Sequence, residues 1–148
     1  IVSEIPDVCI GADVIVGFPG ETDELFHSTL NFIKELPISY LHVFSYSERE
    51  NTLAATFEGV VPKKKRAERS KKLRILSEKL QRTHYQKYLG TTQTALMEQE
   101  NKNGFLFGFT DNYIKVKIPY SKELMQKKIK IKLLSFDENG QIISEKIN

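Results

Sequence analysis

Two short segments near the start of the chain carry the residue types best suited to hold a ligand. They are Gly11-Ala-Asp-Val-Ile-Val-Gly-Phe-Pro-Gly-Glu-Thr22 and Tyr40-Leu-His-Val-Phe-Ser-Tyr-Ser-Glu-Arg49. Each is an apolar run that ends in polar, loop-building residues, and in α/β proteins ligands gather where such strands end. Gly17 and Gly20 let the backbone approach a bound group closely. They serve equally as a plain strand-to-helix connection. They form no phosphate loop, because neither Gly-Lys-Ser/Thr nor Gly-x-Gly-x-x-Gly is present. Arg49 offers a planar guanidinium to a carboxylate or phosphate, or else faces water. His27, His42 and His84 have no second His or Cys at metal-ligand spacing and read as packed histidines. Cys9 is the single cysteine. It excludes an intrachain disulfide and reads as a small buried hydrophobe.

A third group of candidates lies in the C-terminal part. Lys115 and Lys117 alternate with Ile114, Val116 and Ile118, and Lys128, Lys130 and Lys132 alternate with Ile129, Ile131 and Leu133. A side-chain period of two puts the lysines of each strand on one face and the aliphatics in a core. Phe105, Phe107, Phe109 and Tyr113 lie nearby. Lysines beside exposed rings make a nucleic-acid surface, with ammonium groups for phosphates and rings for bases. The other reading is solubilising lysines over a phenylalanine core.

The elements that must position these residues are legible in outline. Asp13 to Phe18 reads as a strand buried on both faces. Phe18-Pro19-Gly20-Glu21 suits a type II turn. Thr22 is an N-cap, with Asp23 and Glu24 at the positive end of the helix dipole. Phe26, Leu30 and Ile33 give that helix its core face, and it should stop before Pro37. Tyr40 to Tyr46 is the next strand, completing a βαβ unit with parallel strands. Residues 48–61 read as loop. Pro62 opens a second helix with a stripe of Leu73, Leu76 and Leu80, running to about Tyr88 and ending at Gly90. Five strands follow: Thr92–Met97, Phe105–Phe109, Ile114–Ile118, Ile129–Phe136 and Ile142–Ile147. Asn139-Gly140 marks a hairpin and Asp111-Asn112 another tight turn. The expected fold is α/β followed by all-β, with a small five-stranded antiparallel OB-like barrel. The expected domains are residues 1–88 and 89–148.

The net charge of +3 over 148 residues hides a segregation. Residues 1–61 carry two basic and ten acidic side chains, residues 62–89 carry eleven and two, and residues 90–148 carry nine and seven. The middle block, headed by Lys63, Lys64, Lys65 and Arg66, is either a phosphate-binding surface or a solvated helix that offsets the acidic N-terminal part. No apolar run approaches the roughly 20 residues that span a bilayer. The start, Ile-Val-Ser-Glu-Ile-Pro, has neither an initiator Met nor a signal-peptide core and reads as the interior of a longer chain.

The two N-terminal motifs resemble the last two barrel strands of radical SAM methylthiotransferases. The stretch from about Tyr88, with Gly104-Phe-Leu-Phe-Gly-Phe-Thr-Asp-Asn-Tyr113, resembles their TRAM domain, a small RNA-binding barrel. The Leu-His-Val-Phe-x-Tyr-Ser form is similar to the subfamily that methylthiolates C2 of N6-threonylcarbamoyladenosine beside the tRNA anticodon. The resemblance implies a partial TIM-like (β/α) barrel, a basic helix and a TRAM barrel. It also implies S-adenosylmethionine and two 4Fe–4S clusters in the full-length enzyme, an anticodon stem-loop as partner, and a cytoplasmic location. Cluster ligands are thiolates, and this chain has no such motif, so it is expected to be inactive alone.

By the same resemblance, Ile15, Gly17, Val43 and Phe44 would line the adenosylmethionine pocket, and Arg49 would position substrate at its mouth. The RNA footprint would comprise Lys63, Lys64, Lys65, Arg66, Tyr113, Lys115, Lys117, Lys128, Lys130 and Lys132. The family often continues Pro-Arg-x-Gly-Thr-Pro-Ala after Tyr-Ser; here Glu48, Asn51 and Leu53 replace Pro, Gly and Pro. Two other readings stand beside this one: part of a ribosomal-protein aspartate methylthiotransferase, and a stand-alone RNA-binding module. An open strand edge beside Asp13–Phe18 would favour dimers of a truncated barrel.

Overall fold

A computed structural model describes residues 1–147. The chain forms two compact units. One is Ile10–Gln81; the other combines Ile1–Cys9 with the described residues from Arg82 onward.

In the first unit, strand β1 (Gly11–Val16) and strand β2 (Tyr40–Ser45) pair in parallel, with Gly11 opposite Tyr40 and Val16 opposite Ser45. Helix α1 (Asp23–Glu35) is the crossover. The turn into it is type II: the Glu21 N–H donates to the Phe18 carbonyl at 3.0 Å, and Gly20 takes φ +86°. Thr22 caps the helix, its hydroxyl accepting from the Leu25 N–H at 3.3 Å. Phe26 and Ile33 are buried on its inner side with Val16, Leu41 and Leu73. The helix ends two residues before Pro37.

The expectation of a β1 strand buried on both faces is corrected. Ala12, Val14 and Val16 point to the core, whereas Asp13 and Ile15 are exposed. A parallel pair with helices on one side has no second layer to cover its other face.

Helix α2 (Lys63–Gln86) follows Pro62 directly. Leu73 is fully buried, with Leu76 and Leu80 packed beside it. Ser77 ties the helix to strand backbone. Its hydroxyl accepts from the Leu41 N–H at 2.8 Å and donates to the Leu41 carbonyl at 3.1 Å.

The second unit is a closed barrel in the order β3-β4-β5-β7-β6. Its strands are β3 (Thr92–Lys102), β4 (Phe105–Thr110), β5 (Lys115–Pro119), β6 (Lys128–Phe136) and β7 (Ile142–Lys146). All neighbours are antiparallel except β5 and β7. The first strand runs past Met97, where the sequence pattern stops, and bulges between Met97 and Asn101. The core holds Ala95, Met97, Leu106, Ile114, Val116, Ile118, Ile131, Leu133 and Ile142, with Tyr85 from the end of α2. Asn139-Gly140 turns β6 into β7. The Asp137 carboxylate accepts there from the Asn139 and Gln141 N–H groups, each at 2.8 Å.

Gly108 lies inside this barrel, where β4 presses on β3. A Cβ at that position would fall 2.5 Å from the Leu96 carbonyl oxygen and 2.8 Å from Met97 Sδ. Gly108→Ala should therefore destabilise the barrel by about 1–3 kcal/mol, the usual cost of overpacking. Urea denaturation checks this; an unchanged midpoint would mean that β3 can retreat freely.

Candidate nucleic-acid interface and strand-end loops

The loops that follow β1 and β2 are held by two arginines of α2. Arg66 and Arg69 are only 4% and 3% exposed. Arg66 donates from Nε to the Val61 carbonyl at 2.7 Å, from Nη1 to the Tyr46 carbonyl at 2.9 Å, and from Nη2 to Glu48 at 2.5 Å. Arg69 donates to the Glu21 carbonyl and carboxylate at 2.9 and 2.6 Å, and to Asp23 at 2.8 Å. Lys65 meets the other Asp23 oxygen at 2.5 Å. Glu21 in turn accepts the Gly17 N–H at 2.6 Å. Hydrogen bonds from Lys65, then Arg69, hold the Asp23 carboxyl down at about 2. A hydrogen bond from Arg66 does the same for Glu48, also to about 2.

This placement corrects two expected sites. Arg66 is no RNA-facing residue: its guanidinium is turned inward among three acceptors. Gly17 offers little to a ligand, because its N–H is taken by Glu21 and Arg66 side-chain carbons lie over its Cα. Lys63 and Lys64 are exposed, whereas Lys65 is half exposed and paired.

The open face of the β1–β2 pair carries Asp13 beside His42 and Ile15 beside Phe44. Ile15 is 59% exposed and Phe44 52%. Val43 does not share that face. It packs into the core, since neighbouring strand residues point to opposite sides. Arg49 is exposed beyond the strand end. Asn51, in the glycine position of the related motif, has φ +63°. Asparagine is among the few residues with a Cβ that tolerate this region.

On the barrel, Lys128, Lys130 and Lys132 all point outward from β6. Their β3 partners are Leu96, Thr94 and Thr92. The outward face of β4 and β5 has a different chemistry. Phe105, Phe107 and Phe109 point out, while Leu106, Gly108 and Thr110 point in. Lys115 Nζ lies 5.5 Å from the Phe107 ring centroid and 5.7 Å from that of Phe109. Lys117 Nζ lies 4.7 Å from the Phe105 centroid. Lys117 is also ion-paired with Asp137, both side chains being largely covered. This contact, with the two N–H groups at the hairpin, holds the Asp137 carboxyl below its ordinary value. Lys117 is thus a structural cation of the barrel, which corrects its expected role as a free phosphate contact. Tyr113 is 53% exposed and stacks on Phe109 with centroids 4.9 Å apart.

The sequence named these three phenylalanines as candidate rings but not their facing, because every residue from 105 to 109 is apolar or glycine and alternation is invisible there. Among the described residues no group of three or more His, Cys, Asp or Glu is placed to hold a metal ion. With Cys9 as the single thiol, these residues do not fit an iron–sulfur cluster. No described helix is long and apolar enough to cross a membrane.

Residues 86–139 match the TRAM domain family, so the barrel is a TRAM domain. The chain is 41% identical over 135 residues to the threonylcarbamoyladenosine tRNA methylthiotransferase MtaB of Bacillus subtilis (strain 168), covering 88% of this chain and 30% of that relative. It is 40% identical over 124 residues to MtaB of Aquifex aeolicus (strain VF5), covering 84% and 29%. To the tRNA-2-methylthio-N(6)-dimethylallyladenosine synthase of Bacillus cereus (strain B4264) it is 34% identical over 148 residues, covering 97% and 29%. The chain thus carries a match to the TRAM domain family and is similar to tRNA methylthiotransferases over most of its length. It spans under a third of the length of the curated relatives it matches.

The depressed carboxyls give the first unit a defined acid sensitivity. Their stabilising effect is complete above the ordinary carboxylate range and is lost as pH falls through the folded value of about 2. Glu48→Gln should lower the melting temperature at neutral pH, and the gap from wild type should close as pH approaches about 2. A pH-independent gap would place the effect of Glu48 elsewhere than in its charge. On the barrel, Lys117→Glu should destabilise the fold by setting a like charge against Asp137. Lys130→Glu, on an exposed lysine, should leave thermal unfolding unchanged. Equal melting temperatures for these two variants would contradict the structural role given to Lys117.

Proposed function

We propose that this chain is the tRNA-binding, cofactor-flanking part of an enzyme that methylthiolates C2 of N6-threonylcarbamoyladenosine next to the anticodon. One observation carries this reading: a TRAM barrel and a βαβ unit occur in one chain whose identity to relatives named for that nucleoside is 41% and 40%. The matched relative named for dimethylallyladenosine stands at 34%. A tRNA substrate implies the cytoplasm.

In this reading residues 1–88 form the last part of a (β/α) radical SAM barrel with its basic helix, and residues 89–148 form the RNA-binding domain. S-adenosylmethionine and a 4Fe–4S cluster would supply radical chemistry in the full-length enzyme, and this chain has no set of thiolates to hold the cluster. The exposed apolar pair Ile15 and Phe44 suits one face of an adenine. Val43 and Gly17 support that pair from the core side and the strand end. Arg49 positions the substrate, its guanidinium holding a carboxylate or phosphate. The exposed surface cations Lys63, Lys64, Lys128, Lys130 and Lys132 attract the tRNA backbone.

Binding of a labelled anticodon stem-loop at increasing salt tests the proposal. Affinity should fall with a log–log slope of about −2 to −4, each neutralised phosphate contributing about −0.7 to −0.9. A slope near zero, or no binding at low salt, would remove RNA as the partner.

A further inference from the structure

The barrel has two lysine-bearing faces, and they are not chemically equivalent. Lys128, Lys130 and Lys132 on β6 stand beside Leu96, Thr94 and Thr92, with no ring among them. Such a face offers charge alone, and a phosphate backbone presents charge whether the strand is paired or unpaired. The outward face of β4 and β5 places Phe105, Phe107 and Phe109 along one strand, with Lys115 opposite Phe109 and Lys117 opposite Phe107 on the next. At one end Tyr113 adds a half-exposed ring lying only 23° from parallel to Phe109.

Tyr113 has φ +62°. Side chains with a Cβ rarely adopt this conformation, and bulky ones least of all. The Tyr113 N–H donates to the Thr110 carbonyl at 2.9 Å, a backbone bond that any residue but proline can make. The Thr110 N–H donates to the Ile114 carbonyl at 3.1 Å, and the Ile114 N–H donates to the Thr110 hydroxyl at 2.9 Å. That hydroxyl also donates to Asn112 at 2.6 Å. A strained aromatic held outward on a turn that asparagine or glycine would make more readily points to a use for the ring.

We propose that the outward face of β4 and β5 is a stacking platform for unpaired RNA bases, with Tyr113 as its leading ring, the Phe105–Phe107–Phe109 row as its floor, and Lys115 as its phosphate-facing cation. The proposal rests on the RNA-binding reading above and assigns a face and a substrate form to it. Unstacked bases expose both ring faces to an aromatic platform, whereas paired bases are buried in their own stack. The platform therefore selects single-stranded loops over duplex, and the β6 lysines do not.

The test uses the whole chain with two fluorescent probes: a single-stranded RNA of about twelve nucleotides and a blunt RNA duplex of the same length. Tyr113→Asn keeps a residue that tolerates the left-handed turn. It should leave thermal unfolding unchanged or slightly raised, weaken single-strand binding about tenfold, and leave the salt slope and duplex binding as they are. Tyr113→Phe should bind like wild type. Lys128→Glu with Lys130→Glu should weaken both probes and flatten the slope. Full single-strand affinity in Tyr113→Asn, with loss only in the lysine variant, would overturn the platform and leave the RNA reading intact. Equal losses on both probes in Tyr113→Asn would also overturn it. Failure of the wild-type chain to bind either probe would overturn both.

Discussion

A guanidinium cannot be buried without acceptors, and Arg66 and Arg69 are both almost fully covered. They continue the stripe of Leu73, Leu76 and Leu80 toward the helix start at the same three- and four-residue spacing. The stripe therefore changes from apolar to cationic just where α2 passes the ends of β1 and β2. The acceptors that meet those cations belong to the loops: the carbonyls of Glu21, Tyr46 and Val61, and the carboxylates of Glu21, Asp23 and Glu48, with Arg69 Nε left without one. Effective desolvation of each buried charge costs several kcal/mol, and the loop acceptors offset that cost through hydrogen bonds that hold only while the loops stay in place. Residues 17–22 and 46–48 are thus tied to α2 by these contacts, beside the open apolar pair Ile15 and Phe44.

The second constraint is the pleat. Each strand has two faces, and whichever is not used by the core is available for contact. In the first unit the helices cover the face of Val14, Val16 and Leu41, which leaves Ile15 and Phe44 open. In the barrel, closure sends Leu106, Val116 and Ile118 inward, so Phe105, Phe107, Phe109 and Lys115 must point out. The same rule explains why Val43 and Phe44, adjacent in sequence, cannot both line one pocket.

Much of the architecture was legible because local chemistry left few choices. Pro19-Gly20 forced the turn, Thr22 the helix start, Pro37 its end and Asn139-Gly140 the last hairpin. The alternating Lys and Ile residues of β6 told inside from outside directly. Phe105 to Phe109 could not, since nothing polar marks a face; the close approach of β3 to Gly108 shows in the structure alone. Arg66 and Lys64 look alike as letters in a basic run. Spacing relative to Leu73 separates them, and reading the run as a uniform charged block lost that distinction. The partner of Lys117 was hidden for another reason: Asp137 is twenty residues away, and only the β5–β7 pairing brings it close.

The charge segregation now has a physical division. Basic residues at the head of α2 split by helical angle. Arg66, Arg69 and Lys65 turn toward Glu21, Asp23 and Glu48 and neutralise acidic groups of the N-terminal part. Lys63, Lys64, Lys71, Lys72 and Arg74 remain exposed. The counterweight reading therefore holds for Arg66, Arg69 and Lys65, and the phosphate reading concerns only the exposed residues. An inward arginine has fixed hydrogen-bond partners and is screened less by salt than a fully exposed pair. An outward lysine has only screened, long-range attraction to offer. Residue type follows that division: arginine, whose planar fork satisfies several acceptors at once, fills both nearly covered positions at the head of α2, and lysine predominates among the exposed ones.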